Sequence, residues 1–314
     1  MLTARQAGRQ GNSCARGCHP QRHALGPAVT HLRLSSDSPT PHSLLPCPRQ
    51  VYSTPDALSA GAAALFVSVV KAAIARKGTA VVALSGGSLP RRLAGVAAAS
   101  PGVDWSALHV FLADERLVPS SDPECSARAL RQAFLDTLPG FPAGNLHEVA
   151  YTPGGSPADA ANQYEAAIAG VSQASLPRNG AGMPVFDLIL LGVGPDGHTA
   201  SLFPNRSTLM PTSRIVLPVS DSPKPPPQRV TLSLSCINAA AAVAFVADGA
   251  SKAEVLQRIL EVQALPGALP AQMVRATQGA GEVKWLIDNG AASALHPQEW
   301  ANPDKFPRSE LPKK

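Results

Sequence analysis

Hydrophobic and polar positions alternate along this chain in blocks, apolar stretches of helical length taking turns with short apolar runs of strand length. A helix is expected over residues 55–77, with Ser53 or Thr54 as N-cap, Pro55 at its first position and Gly78 as its stop. A β-branched and apolar run over 79–84 follows and ends in Ser85-Gly86-Gly87-Ser88. An Ala/Leu-rich helix to residue 99, a strand over 108–113 and a helix over 123–138 come next. Further on, a helix is expected over 158–169 and a loop over 172–184, then a strand over 185–191, apolar but for Asp187. Strands over 215–219, 230–234, 243–247 and 283–287 complete the pattern, with a helix over 251–262 between the last two. No internal repeat is visible.

Strands that alternate with helices, with glycine-rich turns at strand ends, predict an α/β fold: a Rossmann-like, mostly parallel sheet with helices on both faces. Strand 185–191 is apolar apart from Asp187, as burial on both faces favours. Ligands of such sheets bind beyond the carboxyl ends of strands. Polar clusters at 85–88, 114–116 and 192–198 fall at such ends and should converge on one edge.

Composition narrows the picture. The 314 residues are 45% hydrophobic and 16% charged, enough to bury a large core. The longest apolar run, about 60–75, is interrupted by Ser68 and Lys71 and reads as a buried helix, so no membrane span is expected and the protein should be soluble. The net charge of +5 lies in residues 1–50, whose arginines face the single acid Asp37, while the remainder is neutral. A neutral body is not a nucleic-acid footprint. Residues 1–50 are therefore set apart as a basic extension or a transit segment to a plastid or other organelle, 51–300 as the folded domain, and 301–314 as a tail. Five scattered cysteines suit a reducing, cytoplasmic setting. Cys14 and Cys18 beside His19 and His23 lack the paired spacing of structural zinc, and no metal is expected.

The chemistry-bearing segments each leave a choice when read singly. Ser85-Gly86-Gly87-Ser88, between strand and helix, suits a phosphate cradle or an ordinary tight turn; no Walker loop follows. Asp114-Glu115-Arg116 offers a guanidinium for a phosphate or carboxylate, with acids to orient it, or a solvated loop. Residues 192–197 match the letters of a dinucleotide fingerprint, but Pro195 and Asp196 stand where a pyrophosphate would be cradled and Pro204 cuts the following helix short. That turn instead projects Asp196 and His198, and the position of His198 favours a general base, with Asp196 orienting its ring or binding a sugar hydroxyl. The stiff stretch 222–229 presents Lys224 and Arg229 to a phosphate, or serves as a polyproline ligand.

Four segments in order and spacing resemble the 6-phosphogluconolactonase family. They are Leu84-Ser85-Gly86-Gly87-Ser88, the run from Phe111 to Pro119, the run from Phe186 to Pro204 through Gly197-His198-Thr199, and the run from Ser222 to Leu232. The resemblance implies a fold shared with glucosamine-6-phosphate deaminases and hydrolysis of 6-phospho-D-glucono-1,5-lactone in the pentose phosphate pathway. It implies His198 as the base that activates water, and the Gly86-Gly87-Ser88 turn, Arg116, Lys224 and Arg229 as holders of the phosphate or of the oxyanion. Ser126 carries over as a substrate contact; the neighbouring Ala127 stands where many members have Asn and does not. No cofactor, nucleic acid or membrane partner is implied, and a monomer acting on a small molecule is expected. The rivals are a sugar-phosphate isomerase or deaminase on the same fold, a non-catalytic sugar-phosphate sensor, and a serine hydrolase using Ser85 or Ser88, for which no G-x-S-x-G elbow exists.

Overall fold

The computed structural model describes residues 49–98, 100–262, 264–276 and 283–296. Expectations for residues 1–48 and 301–314, including the Cys14/Cys18 group, lie outside them. In chain order the described elements are β1 (Arg49–Tyr52), α1 (Pro55–Lys77), β2 (Ala80–Leu84), α2 (Leu89–Arg92), β3 (Leu108–Leu112), β4 (Asp114–Arg116), α3 (Ser126–Ala133), β5 (Leu146–His147) and α4 (Pro157–Ala169). There follow β6 (Leu188–Leu191), β7 (Val216–Val219), β8 (Arg229–Leu232), α5 (Leu234–Asn238), β9 (Val243–Ala247), α6 (Ala253–Glu261) and β10 (Val283–Asp288).

Seven strands form one sheet in the order β1-β10-β9-β6-β2-β3-β5, every neighbouring pair parallel. The order explains the site's position. From β2 the chain moves outward through β3 to β5; from β6 it moves the other way through β9. The switch falls between β2 and β6, where a crevice opens beyond their carboxyl ends. β2, β6 and β9 are wholly buried. Phe245 and Trp285, opposite each other on β9 and β10, stack at 4.0 Å.

Helix α1 begins as its sequence dictates. Thr54 Oγ1 accepts from the Ala57 N–H at 3.1 Å, Pro55 supplies a preset φ, and Gly78 closes the helix at φ +79 with its N–H on the Ile74 carbonyl. By length and hydropathy (1.9 over its most apolar window) α1 could cross a membrane, which the reading of unbroken apolar runs overlooked. Here its inner stripe of Leu58, Ala62, Phe66 and Val70 is buried in the core, packed on β2 and β10.

The structure corrects the sequence expectations at several elements. β4, β8 and β7 leave the parallel sheet and form a three-stranded antiparallel one. Asp114-Glu115-Arg116, expected as a strand-end loop, is thus itself a strand. Ala113 is the junction: its N–H reaches the Leu84 carbonyl at 2.8 Å, and its own carbonyl accepts from the Leu232 N–H at 2.8 Å. Pro218 is tolerated because β7 is an edge strand. The helix expected over 89–99 is one turn, α2, and the chain continues in turns closed by i to i+3 bonds such as Val96 N–H to the Leu93 carbonyl. Leu89, Leu93 and Val96 still face the core, so the apolar spacing was real although the helix was not. The helix expected over 123–138 shrinks to α3, ended by Phe134 at φ −154. Edge strands β1 and β5 were not foreseen.

Candidate active site

Beyond the ends of β2, β6 and β9 lies a cavity of about 460 Å³. Its wall contains Ser85, Gly86, Gly87, Ser88, Asp114, Arg116, His198, Lys224 and Arg229, all picked out in the sequence. Asp196 stands directly behind His198, and Ser126 behind Gly86. The elements that deliver them are the β2–α2 turn, β4, the turn after β6, the loop between β7 and β8, and β8 itself.

The turn after β6 folds back on itself: Gly194 N–H reaches the His198 carbonyl at 2.9 Å, and Gly197 N–H the Gly194 carbonyl at 3.0 Å. Gly197 needs its left-handed φ of +81, and any Cβ there would also press on Leu269. Nδ1 of His198 lies 2.5 Å from Asp196 Oδ1, and Lys224 Nζ lies 3.2 Å from the same oxygen. An ammonium can only donate, so the carboxylate is the shared acceptor and Nδ1 carries the proton. The lone pair of the neutral ring is then on Nε2. Burial holds His198 below the ordinary histidine value; Asp196 works against this, and Lys224 reinforces it. For Asp196, burial pushes upward, but the His198 hydrogen bond and charge and the Lys224 contact prevail and hold it low. A carboxylate–imidazole dyad poised to accept a proton near neutrality is the result.

The rest of the wall is cationic. Arg116 and Arg229 are cross-strand partners on β4 and β8, and like charges placed so repel. Burial lowers Arg229, and the Arg116 charge lowers it further. Arg116 is tied to Glu124 at 2.8 Å, but its Nε is buried with no hydrogen-bond partner among the described residues, and so are Ser85 Oγ and Ser126 Oγ. Three orphaned polar groups together mark where a ligand with acceptor oxygens would be welcome.

Arg229 is largely committed elsewhere. Nε donates to the Pro226 carbonyl at 3.0 Å, Nη2 to the carbonyls of Lys224 and Pro225 at 3.0 and 3.1 Å, and Nη1 to Ser201 Oγ at 3.4 Å. It braces the loop that carries Lys224. That loop is not extended polyproline, since Ser222 N–H closes it on the Pro227 carbonyl at 3.0 Å. Asp114 is buried and accepts from Ser201 Oγ at 2.8 Å. The short α2 offers little dipole, so the cradle at residues 85–88 rests on hydroxyls and loop N–H groups.

Two contributors escaped the sequence reading. Lys252 and Asp248 line the cavity from the loop after β9, Asp248 held by Arg92 Nη2 at 2.5 Å. The strand-end rule that found the other clusters would have found this one. Glu115, expected as an acid that orients Arg116, is buried and accepts from the N–H groups of Arg116, Ser126 and Ala127 at 2.7, 2.7 and 2.8 Å, and so caps the start of α3. Burial raises its pKa against these three bonds. It orients the backbone of Arg116, whereas the guanidinium is oriented by Glu124. Among the described residues no cluster of three or more His, Cys, Asp or Glu could hold a metal.

Residues 53–285 match the model of the glucosamine-6-phosphate isomerases/6-phosphogluconolactonase family. A 6-phosphogluconolactonase of Bos taurus is 41% identical over 257 residues, 80% of this chain and 95% of that protein. One of Streptomyces coelicolor is 39% identical, covering 78% of this chain and 93% of that one. The solved 6-phosphogluconolactonase of Trypanosoma brucei superposes with a TM-score of 0.65 at 30% identity, over 81% of this chain and all of its own. The chain belongs to the glucosamine-6-phosphate isomerase/6-phosphogluconolactonase family.

Proposed function

We propose that this protein is a 6-phosphogluconolactonase: it hydrolyses 6-phospho-D-glucono-1,5-lactone to 6-phosphogluconate in the oxidative pentose phosphate pathway, with His198 as general base. The observation that carries the reading is the pairing, in one cavity, of the Asp196–His198 dyad with a cationic wall that has unmet donors. An ester carbonyl and a phosphate on one small molecule call for those two halves.

Nε2 of His198 takes a proton from water as the water oxygen bonds to the lactone carbonyl carbon. The oxyanion that forms is stabilised by the ammonium and guanidinium charges around it. Collapse restores the carbonyl and breaks its bond to the ring oxygen, which takes the proton back from the imidazolium. The carboxylic acid product then ionises and releases one proton to solvent. Arg116, Lys252, Ser88 and the Gly86-Gly87 turn bind the phosphate, with Ser85 supplying a hydroxyl and Ser126 backing the turn behind Gly86, and Asp114 anchors the wall through Ser201. Arg229 adds charge and fixes the Lys224 loop. The chemistry needs a positioned water, a base and an anion hold, and no cofactor.

The test is proton release from freshly prepared lactone at constant pH, with spontaneous opening subtracted. Ammonia release from glucosamine 6-phosphate without lactone opening would move the protein to the deaminase side of the family. Binding of 6-phosphogluconate by a wild-type protein that turns nothing over would make it a sensor. The same reading takes the enzyme to be a cytoplasmic monomer, organellar if residues 1–50 act as a transit segment. Cys125 and Cys236, both buried and free, fit a reducing compartment.

A further inference from the structure

Lys224 has a geometry that holding a phosphate does not require. Its Nζ lies 3.2 Å from Asp196 Oδ1 and 3.3 Å from His198 Nδ1, on the far side of the dyad from the nitrogen that accepts the proton. Its backbone is fixed at two points: Lys224 N–H reaches Ser222 Oγ at 3.2 Å, and its carbonyl receives Arg229 Nη2 at 3.0 Å and Ser222 Oγ at 2.8 Å. The buried Arg229 thus aims an ammonium at the base. Lys252, on the loop after β9, supplies the cavity with another lysine, free of any such hydrogen bond to the dyad.

We propose that Lys224 is a positioning residue for the general base: it shares Asp196 Oδ1 with His198, locks the ring with Nε2 unprotonated, and opposes its protonation. This rests on the reading of His198 as the base. Two effects run in the same direction. Sharing the carboxylate dilutes the negative charge that would otherwise favour imidazolium, and a fixed cation beside Nδ1 repels it directly. The other groups facing the ring are Asp196 on its own turn and Asp114 on β4, both of which favour the charged ring. The Phe203 ring packs 4.8 Å away and carries no charge. Across the cavity Arg116, Arg229 and Lys252 add positive charge. Among the described residues Lys224 is the cation in hydrogen-bond range of the dyad, so its charge weighs most.

The consequence is a base that stays competent as pH falls. In Lys224→Met the protonation midpoint of His198 should rise by at least about one unit, because one unit corresponds to roughly 1.4 kcal/mol, the size of a close charge contact even when it is screened almost as in water. Two readouts decide. The midpoint is followed by NMR of the histidine Cε1–H signals in the free protein, the His198 signal being assigned by its loss in His198→Gln. The acid limb of kcat/KM for lactone opening is followed in parallel. Lys224→Arg, which keeps the charge, should hold both near wild type. A midpoint unmoved in Lys224→Met, with a raised KM, overturns the inference and makes Lys224 a phosphate ligand. If wild type opens no lactone, the lactonase reading fails by itself, while the NMR titration still decides what Lys224 does to the ring.

Discussion

A Cβ placed on Gly194 would lie 1.9 Å from Cε1 of His198 and 2.0 Å from its Nδ1. The imidazole therefore packs directly against the Cα of Gly194 in its own turn, a place only glycine leaves open. Gly194→Ala must push the ring off Asp196, and a displacement near 1 Å can cost about 10²-fold in rate. We expect a loss of that size with the fold retained by circular dichroism. A variant as active as wild type would mean that the ring is not held as described.

Removing the base itself should cost more. His198→Ala is expected to lower kcat by roughly 10²–10⁴-fold with a smaller change in KM. Asp196→Asn keeps an oxygen for Nδ1–H and Lys224 but loses the charge that steadies the imidazolium, so its loss should fall short of that of His198→Ala. Initial rates by proton release compare the two. An Asp196→Asn loss exceeding that of His198→Ala would point to Asp196 as the group that meets the water.

Much of the site was legible because strand ends are legible. Val, Leu and Ile runs located β2, β3 and β6, and the polar residues just past each one met in the cavity. What stayed hidden depended on pairing across the chain. Nothing local tells that Asp114–Arg116 leaves the parallel sheet, since the strand exists only because β8 lies alongside it. Local composition also overstated the helix after Ser88, where Gly95 and i to i+3 turns replace the α-helical ladder. The role of Glu115 was invisible for a related reason: its three partners are backbone N–H groups, which carry no residue signature.

Those three bonds make Glu115 a stability determinant as well as a wall of the site. Glu115→Ala leaves the N–H groups of Arg116, Ser126 and Ala127 without their acceptor, in a place closed to water. A loss of roughly 1–3 kcal/mol is expected by denaturant unfolding, with an unchanged m-value. Because α3 starts at Ser126 and Arg116 borders the cavity, KM should rise in the same variant. Glu115→Gln keeps one oxygen acceptor and should lie between the two. Unchanged stability in Glu115→Ala would show that water replaces the carboxylate at the helix start.

Away from the cavity, His109 on β3 and His147 on β5 face each other with Nδ1 and Nε2 3.2 Å apart, and His147 lies flat on Phe111 at 4.1 Å. Burial, then the neighbouring His109, brings His147 down from 6.5 to about 4; burial, then Lys77, lowers His109. Between those values the unfolded chain takes up a proton that the folded protein refuses, so stability is lost as pH falls from 6.5 towards 4. His147 is only partly buried; discounting by about half leaves roughly 1–2 kcal/mol, a few degrees in Tm. Comparing wild type with His147→Gln isolates this contribution from the carboxylates, which titrate in both. Wild type should lose more Tm than the variant between about pH 7 and about pH 5, the interval in which the unfolded histidine charges. Equal losses would mean that the pair accepts its protons without cost to the fold.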